Sequence, residues 1–203
     1  MAKQIFYILF LFLLSTTKLT ASPSAAAAGT SKRAINFIQA SCKATTYPAV
    51  CINTLSGYAN SIQTSPRRLA ETALTVTVSQ AQSMKLFVSR LARFKSLKKR
   101  EVQAIKDCLE EINDTVDRLT KSIHEVKMCG SAKGRDQFWF HMSNAQTWTS
   151  AALTNANTCS DGFSGRTMDG RIKNSVRARI LNLGRGTSNA LALINAFAKN
   201  TSN

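Results

Sequence analysis

Helix breakers and acidic residues are scarce in this sequence. Only three prolines and nine glycines interrupt 203 residues, and this scarcity favours long helices over many short strands. Eleven Asp and Glu residues stand against 27 Lys and Arg, which gives a formal net charge of +16. The hydrophobic fraction of 44% is sufficient for a core, so the composition excludes a wholly disordered chain.

Catalytic constellations are also missing from the sequence. It contains two histidines, and it has no glycine-rich phosphate loop, no nucleophile elbow and no closely spaced pair of Cys or His ligands. Glu110 and Asp114 lie one helical turn apart, but a solvated acidic face is the commoner reason for that spacing than acid–base catalysis. We therefore predict a protein that binds another macromolecule, without enzyme activity, cofactor or metal site.

The N-terminus has the features of a secretory signal. Lys3 precedes the uncharged apolar run Ile5–Leu14, and small residues follow from Ala21 to Ala28. The run is too short to span a bilayer, and Lys18 follows it closely, so a membrane anchor is the weaker alternative. We predict a signal peptide over residues 1–28, cleaved between residues 21 and 28, and no membrane span. Loss of Lys3 and Lys18 would leave a formal charge of +14, which attracts polyanions and acidic surfaces.

Apolar periodicity predicts an all-α fold. The segment from Ser31 to Gln63 is predicted to form two short helices that turn at Tyr47-Pro48, and Pro66 then opens a longer helix with Ser65 as its N-cap. The next helix has apolar residues spaced alternately three and four positions apart. These residues are Val102, Ile105, Leu109, Ile112, Val116, Leu119, Ile123 and Val126.

Two further helices complete the prediction, from about Asp136 to Asn157 and from Arg171 to about Lys199. We expect the first to bury Phe138, Met142, Ala145, Trp148 and Ala152, and the second to bury Ile172, Val176, Ile180, Leu183, Leu191 and Ile194. The connections are short, so sequential helices should pack antiparallel. The sequence thus predicts one domain, with an N-terminal helical hairpin over residues 29–64 and an antiparallel four-helix bundle over residues 65–203.

Two surface patterns single out candidate binding residues. Seven of the eleven acidic residues fall between Glu101 and Glu125, and Glu110, Asp114 and Asp117 among them recur at helical spacing. Pairing with nearby basic residues explains this stripe equally well. The segment from Met142 to Ser160 contains no charged residue, and Asn144, Thr147, Ala151 and Thr154 line up along it. A small, uncharged surface can approach a partner without desolvating ions, although burial of both flanks inside the bundle is the alternative.

The basic run from Lys85 to Arg100 is a third candidate surface. Only Phe87 and Phe94 are interleaved with its basic residues, and export from the cell argues against nucleic acid as a partner. A solvated loop is the commoner explanation, and an acidic polysaccharide is the polyanion that we favour. Two glycosylation sequons begin at Asn113 and Asn200, the first of them beside the acidic stripe.

Five cysteines in an exported chain indicate disulfides, and the odd number leaves one thiol over. Cys42 and Cys51 lie nine positions apart across the predicted turn, and a bridge between them would contribute roughly 2–3 kcal/mol by restricting the unfolded chain. Several pairings of the five remain open on spacing alone.

Five segments resemble, in order, the plant invertase and pectin methylesterase inhibitor family. They are Cys42-x-x-Thr45-x-Tyr47-Pro48-x-x-Cys51 with Leu55, Tyr58 and Ala59; Asp107-Cys108-x-Glu110 with Asp114, Val116-Asp117 and Leu119; Ser143-Asn144-Ala145-Gln146-Thr147-Trp148 through Thr154; Thr158–Phe163; and Thr187–Ile194. The resemblance implies a four-helix bundle after a helical hairpin. It also implies bridges Cys42–Cys51 and Cys108–Cys159 with Cys129 free; the second bridge closes a loop of about fifty residues and is worth roughly 4 kcal/mol.

The resemblance further implies an inhibitor that covers an enzyme's cleft with its second and third bundle helices. Invertase inhibitors typically carry Pro-Lys-Phe before the third bundle helix, where this chain has Asp136-Gln137-Phe138, so the chain is more similar to the pectin methylesterase branch. By resemblance, Glu110, Asp114 and Thr147 occupy contact positions. The full set of predicted partner-binding residues is Glu110, Asp114, Asp117, Asn144, Thr147, Ser150, Ala151 and Thr154.

These observations together predict a secreted, monomeric inhibitor in the apoplast or cell wall that binds pectin methylesterase one to one. Electrostatic association with acidic pectin is a second expectation. Two alternatives stay open: an inhibitor of cell-wall or vacuolar invertase, and a cationic wall-binding defence protein without an enzyme target.

Overall fold

The computed structural model describes residues 25–165 and 170–202, and its regular secondary structure is entirely helical in these residues. Short helices come first: α1 (Ala25–Cys42), α2 (Pro48–Leu55), a 3-10 turn (Ser56–Tyr58) and α3 (Ala59–Ile62). The long helices are α4 (Pro66–Leu91), α5 (Lys99–Cys129), α6 (Arg135–Gly162) and α7 (Arg171–Ser202). Residues 1–24 of the predicted signal peptide lie outside the described residues. None of the helices in the described ranges is long and apolar enough to cross a membrane.

Local capping explains where two of the long helices begin. The Arg68 backbone N–H donates to the Ser65 hydroxyl (3.3 Å), and Pro66 occupies the first turn, as the sequence predicts. At the start of α5, the Lys98 backbone N–H donates to the Glu101 carboxylate (2.8 Å). Both interactions satisfy N–H groups that a helix leaves without internal partners.

The predicted four-helix bundle is confirmed. Consecutive helices from α4 to α7 pack against one another, and α4 also packs against α7, which closes the ring. The hairpin of α1 to α3 packs on this bundle. Asn189 of α7 anchors it, because its side chain accepts from the Tyr47 backbone N–H (3.0 Å) and donates to the Tyr47 carbonyl (2.9 Å).

The buried face of α5 differs from the prediction. Of the eight apolar residues predicted to face the core, every second one, at a spacing of seven, is buried: Ile105, Ile112, Leu119 and Val126. The second predicted line is only partly buried at Leu109, Val116 and Ile123, and its first member, Val102, is 50% exposed. A different heptad line takes its place in the core: Cys108, Thr115, Ser122 and Cys129.

Small facing residues on α6 explain why polar and small side chains occupy this line. Helix α6 buries Phe138, Met142, Ala145, Thr149, Ala152, Ala156 and Cys159. The Ser122 and Thr149 hydroxyls lie 2.7 Å apart, and they lie 2.9 and 2.8 Å from the Ala145 carbonyl. Their hydrogen-bonding needs are thus met without water, and the short side chains let the two backbones approach closely.

Two departures concern the other helices. Trp148, Ile172 and Leu191, predicted in the core, are only half-buried. Helix α6 continues to Gly162, beyond its predicted end at Asn157. Helix α7 runs without interruption through Gly184 and Gly186, and Gly186 leaves room for the Gln80 side chain, whose Oε1 would lie 2.7 Å from an added Cβ.

Two disulfides cross-link the helices, in the pairs that the family resemblance implies. Cys42–Cys51 joins α1 to α2, and Cys108–Cys159 joins α5 to α6 with the two Cα atoms 4.4 Å apart. Cys129 is free and buried, with its Sγ 3.8 Å from the Phe138 carbonyl oxygen.

Candidate partner-binding face

The acidic stripe lies on the edge of α5 that borders α6. Glu110, Asp114 and Asp117 are all exposed. Asp114 pairs with Arg118 (3.6 Å) and Asp117 with Lys121 (2.7 Å), both one turn further along the helix. Intrahelical pairing therefore accounts for part of the stripe. Glu110 has no ion pair within the described part of the chain, so its carboxylate is open to a partner.

Burial and repulsion between carboxylates shift the pKa of Glu111, which lies next to this stripe. The pKa of Glu111 is raised, first by partial burial, then by the Asp114 and Glu110 carboxylates, while Arg118 lowers it and Asp107 adds a weaker upward effect. Negative charge is thus concentrated along this edge. A cationic or hydrogen-bonding group from a partner would relieve that repulsion.

The outer surface of α6 is small and uncharged, as its sequence predicts. Thr147, Ser150 and Thr154 are exposed, while Asn144 and Ala151 are half-buried. Trp148 lies between this surface and α5, with the Lys121 ammonium 5.1 Å from its ring centroid. A partner can approach α6 here without removing water from a charged side chain of that helix.

Five kinds of contact hold α5 and α6 in register beneath this surface. At one end, the His141 Nδ1 lies 2.6 Å from the Glu125 carboxylate. In the middle, Ser122 contacts Thr149 and Lys121 covers Trp148. Towards the other end, with the Asn155 amide turned so that its oxygen faces α5, the Arg118 Nε donates to that oxygen (3.3 Å). The bridge Cys108–Cys159 follows it. The α5 edge and the α6 surface therefore form one rigid face, which we call the α5/α6 face.

A shallow groove of about 550 Å³ continues the α6 surface towards α7. Gln146, Thr147, Ser150, Ala151, Thr154, Leu191 and Asn195 line it. The Gln146 amide donates to the Asn195 amide oxygen across the groove (2.9 Å). The sequence-based prediction missed Leu191, because the periodicity of α7 placed it in the core. It also missed Phe140, which lies two turns before Thr147 and is exposed.

The sequon at Asn113 borders the acidic edge of the α5/α6 face. Asn113 is exposed and lies between the half-buried Leu109 and Val116 on one side and Glu110 and Asp117, three and four residues away, on the other. Asp114 lies about 100° further round the helix, on the side that carries Arg118 and its contact to α6. A glycan on Asn113 would therefore project from the border of this edge that is further from α6 than Asp114, and it would adjoin Glu110 and Asp117. The second sequon, at Asn200, lies exposed near the end of α7.

Neither a metal nor a thiol-based chemistry is supported by the described residues. No group of three or more His, Cys, Asp or Glu side chains in those residues could hold a metal ion. Burial, with a smaller effect from the Glu125 carboxylate, raises the pKa of the Cys129 thiol to about 11. The thiol is therefore protonated at physiological pH and is a poor nucleophile.

Comparison with known proteins agrees with the family resemblance. A family model described as "Plant invertase/pectin methylesterase inhibitor" matches residues 36–193. The chain is 86% identical over 200 residues to Pectinesterase inhibitor 11 of Arabidopsis thaliana, covering 98% of this chain and 99% of that protein. It is 53% identical over 172 residues to the 21 kDa protein of Daucus carota, covering 85% of this chain and 89% of that protein.

The fold also matches a solved structure. A mutant form of a pectin methylesterase inhibitor from Arabidopsis superposes with a TM-score of 0.61 over 76% of this chain and 92% of that chain. The sequence identity is 20%, so this likeness concerns the fold alone.

Proposed function

The chain belongs to the plant invertase/pectin methylesterase inhibitor family, and from that membership we propose that it is a secreted protein inhibitor of pectin methylesterase. The 86% identity to a protein named Pectinesterase inhibitor 11 supports this choice of target. Such a protein regulates pectin de-esterification by binding the esterase and catalyses nothing itself. Its place of action is the apoplast or cell wall, where the signal peptide would deliver it and where disulfides persist.

The mechanism that we propose is occlusion by one inhibitor molecule per esterase. The α5/α6 face lies across the groove in which the pectin chain binds, and it excludes both polymer and water. The observation that carries this proposal is the cross-linking of the two helices by Cys108–Cys159 beneath an uncharged surface. Because the face is already rigid, docking costs less conformational entropy than it would for a flexible surface.

Charge on the α5 edge supplies the polar part of the proposed contact. Glu110 offers an exposed carboxylate without an ion pair in the described residues. Asp114 and Asp117 offer exposed carboxylates whose intrahelical partners are the half-buried Arg118 and the exposed Lys121. Exposed pairs of this kind contribute little, so they are easily exchanged for a donor on the esterase. The uncharged α6 surface, with Asn144, Thr147, Ser150, Ala151 and Thr154, then packs at the centre.

Inhibition of invertase is the second candidate, and the position of Phe138 disfavours it. Invertase inhibitors typically carry Pro-Lys-Phe where this chain has Asp136-Gln137-Phe138. Here Phe138 is 8% exposed and packs edge-to-face against Trp139 and Phe197, with ring centroids 5.5 and 5.7 Å away. A phenylalanine held in the core in this way cannot reach into a partner's active site.

A cationic protein without an enzyme target is the third candidate. The basic residues between Arg90 and Arg100 cluster at the connection of α4 to α5, near one end of the bundle. They suit an electrostatic association with acidic pectin that would accompany inhibition rather than replace it. Binding of this kind weakens with rising ionic strength, which distinguishes it from docking through a packed face.

The test is a side-by-side inhibition assay with purified pectin methylesterase and acid invertase. We expect inhibition of the esterase alone. Thr147→Arg should raise the inhibition constant by at least about tenfold, because a bulky charge would be desolvated at the centre of the contact. Thr75→Arg is the matched control: Thr75 is an exposed threonine on α4, diagonally across the bundle from α6.

Circular dichroism should show equal helicity for both variants. Unchanged inhibition by Thr147→Arg would reject the α5/α6 face. Inhibition of invertase alone would overturn the choice of target.

A further inference from the structure

Phe140 is the most exposed large hydrophobic side chain among the described residues. It is 62% exposed, although an aromatic ring of this size gains substantially from burial. The residues around it along the outer surface of α6 are small and polar. A large aromatic side chain exposed on such a surface contributes little to the packing of the bundle itself.

Helical spacing places Phe140 on the α5/α6 face. Asn144 follows it by four residues and Thr147 by seven, so the three side chains share one side of α6. The line then continues to Ala151 and Thr154. Phe140 thus extends the proposed contact surface by one turn beyond Asn144, towards the N-terminus of α6.

The ring of Phe140 is supported from below. It packs edge-to-face against His141, with the ring centroids 5.3 Å apart, and the His141 Nδ1 lies 2.6 Å from the Glu125 carboxylate on α5. His141 is therefore tied to the neighbouring helix, and Phe140 rests against a fixed group. An aromatic side chain held in this way loses little conformational freedom when it binds.

We propose that Phe140 is the anchor residue of the α5/α6 face, and that its ring enters an apolar or aromatic recess beside the pectin-binding cleft of the esterase. This inference rests on the proposed function. A few buried aromatic side chains dominate most protein interfaces, and here the rest of the face is small and polar. Ligand-binding clefts are predominantly lined by hydrophobic and aromatic side chains, so we expect the esterase to offer a matching surface.

The esterase, rather than a second copy of the chain, is the partner that the charges favour. The formal net charge, which is +16 for the whole chain and +14 without the predicted signal peptide, opposes close approach of two copies. The Phe140 ring lies beside Glu125 at one end of the face, and Glu110 and Asp114 lie towards the Cys108–Cys159 end, where their carboxylates would need basic partners. The proposed contact therefore requires a partner surface that combines an apolar recess with donors of hydrogen bonds.

The test compares Phe140→Ala, Phe140→Trp and Leu86→Ala with the unaltered chain. Leu86 is the matched control because it is 60% exposed and lies on α4, diagonally across the bundle from α6. Inhibition constants against purified pectin methylesterase are measured together with thermal unfolding and sedimentation of each variant alone. We expect Phe140→Ala to weaken inhibition by about tenfold or more, while Phe140→Trp and Leu86→Ala keep it within about threefold.

Each outcome separates this inference from the proposed function. If the unaltered chain inhibits and Phe140→Ala inhibits equally well, the anchor role is wrong while the proposed function stands. If the unaltered chain inhibits no esterase, the proposed function fails and the anchor role fails with it. A change in sedimentation by Phe140→Ala with unchanged inhibition would assign the ring to self-association, which also overturns the inference.

Discussion

At the scale of single residues, buried polar and thiol groups set the distance between α5 and α6. The Ser122 and Thr149 hydroxyls form hydrogen bonds with each other and with the Ala145 carbonyl, so they can be buried without an unpaired polar group. Larger apolar side chains at these positions would separate the helices. Cys129 extends the same buried line at the end of α5. It behaves as a small apolar side chain as long as its thiol stays protonated.

Ionisation of Cys129 should make stability depend on alkaline pH. Burial and the Glu125 carboxylate raise the pKa of the folded thiol from 9.0 to about 11. Between those values the unfolded chain loses the proton and the folded chain keeps it, so the free energy of unfolding decreases as pH rises. We expect the unaltered protein to lose about 1–2 kcal/mol more than Cys129→Ala between pH 8 and pH 10.5.

Urea unfolding followed by circular dichroism at both pH values measures this difference. Cys129→Ala itself serves as the control, because every other titrating group is shared. Parallel losses in the two proteins would show that the thiol is accessible to water in the folded state.

At the scale of the helices, the two glycines of α7 should respond differently to substitution. A Cβ at Gly184 would have the Asn157 Oδ1 as its nearest neighbour, at 3.9 Å, whereas a Cβ at Gly186 would lie 2.7 Å from the Gln80 Oε1 and 3.4 Å from the Thr77 Oγ1. Gly184→Ala should stabilise the protein by roughly 0.5–1 kcal/mol, because alanine favours a helix interior. At Gly186 the close contact should cancel that gain.

Chemical denaturation of the two variants gives the comparison directly, and each is the control of the other. Equal stabilisation by both substitutions would mean that Gln80 moves aside at no cost. Equal destabilisation would mean that α7 needs both glycines for its path along the bundle.

Much of this architecture could be predicted from the sequence, and the exceptions share a physical reason. The proline at position 66 and the apolar spacing of α5 and α6 indicate the helices and their order. Periodicity could not decide which flank of α5 faces α6, because Leu109 and Val116 are more hydrophobic than Thr115 and Ser122. The choice depends on the small residues of α6, which is information from another helix.

Prediction of the α5/α6 face was limited in the same way, because part of it depends on residues of another helix. Absence of charge in α6 predicts the exposed Thr147 and Thr154, since the pattern is contained in one helix. Phe140 and Leu191 could not be predicted, because an isolated apolar residue gives no indication of whether it faces core or solvent. Only the packing of α7 beside α6 reveals Leu191 in the groove.

The bridge between α5 and α6 should matter more for inhibition than the bridge in the hairpin. Removing Cys108–Cys159 by the double substitution to Ser should cost roughly 4 kcal/mol of stability, and removing Cys42–Cys51 roughly 2–3 kcal/mol, because the first loop is longer. Only the first change frees the two helices of the α5/α6 face. We expect it to weaken esterase inhibition even where the protein is still folded.

Inhibition assays at a temperature well below both melting midpoints test this difference. The hairpin variant, Cys42→Ser with Cys51→Ser, is the control for general loss of a disulfide. Equal loss of inhibition in both variants would show that overall stability, and not the alignment of α5 with α6, governs binding.

At the scale of the whole molecule, the positive charge and the uncharged face should act on different partners. The basic residues Arg93, Lys95, Lys98, Lys99 and Arg100 lie in or beside the connection between α4 and α5, and α6 carries none of them. Coulombic attraction to de-esterified pectin is screened over a Debye length of about 10 Å at 0.1 M salt and about 3 Å at 1 M. Packing of the α5/α6 face on an esterase involves the three carboxylates of the α5 edge, but its centre on α6 is uncharged.

Raising NaCl from 50 mM to 500 mM should therefore abolish retention on immobilised de-esterified pectin and change the esterase inhibition constant by less than about tenfold. Lys95→Gln with Lys98→Gln should reduce pectin retention at low salt and leave inhibition of the soluble esterase intact, because both side chains lie outside the face. Thr147→Arg should weaken inhibition of the esterase and leave pectin retention intact. If salt and the lysine substitutions instead reduced inhibition as much as they reduced pectin retention, the basic residues would form the binding surface. The chain would then act as a cationic wall-binding protein.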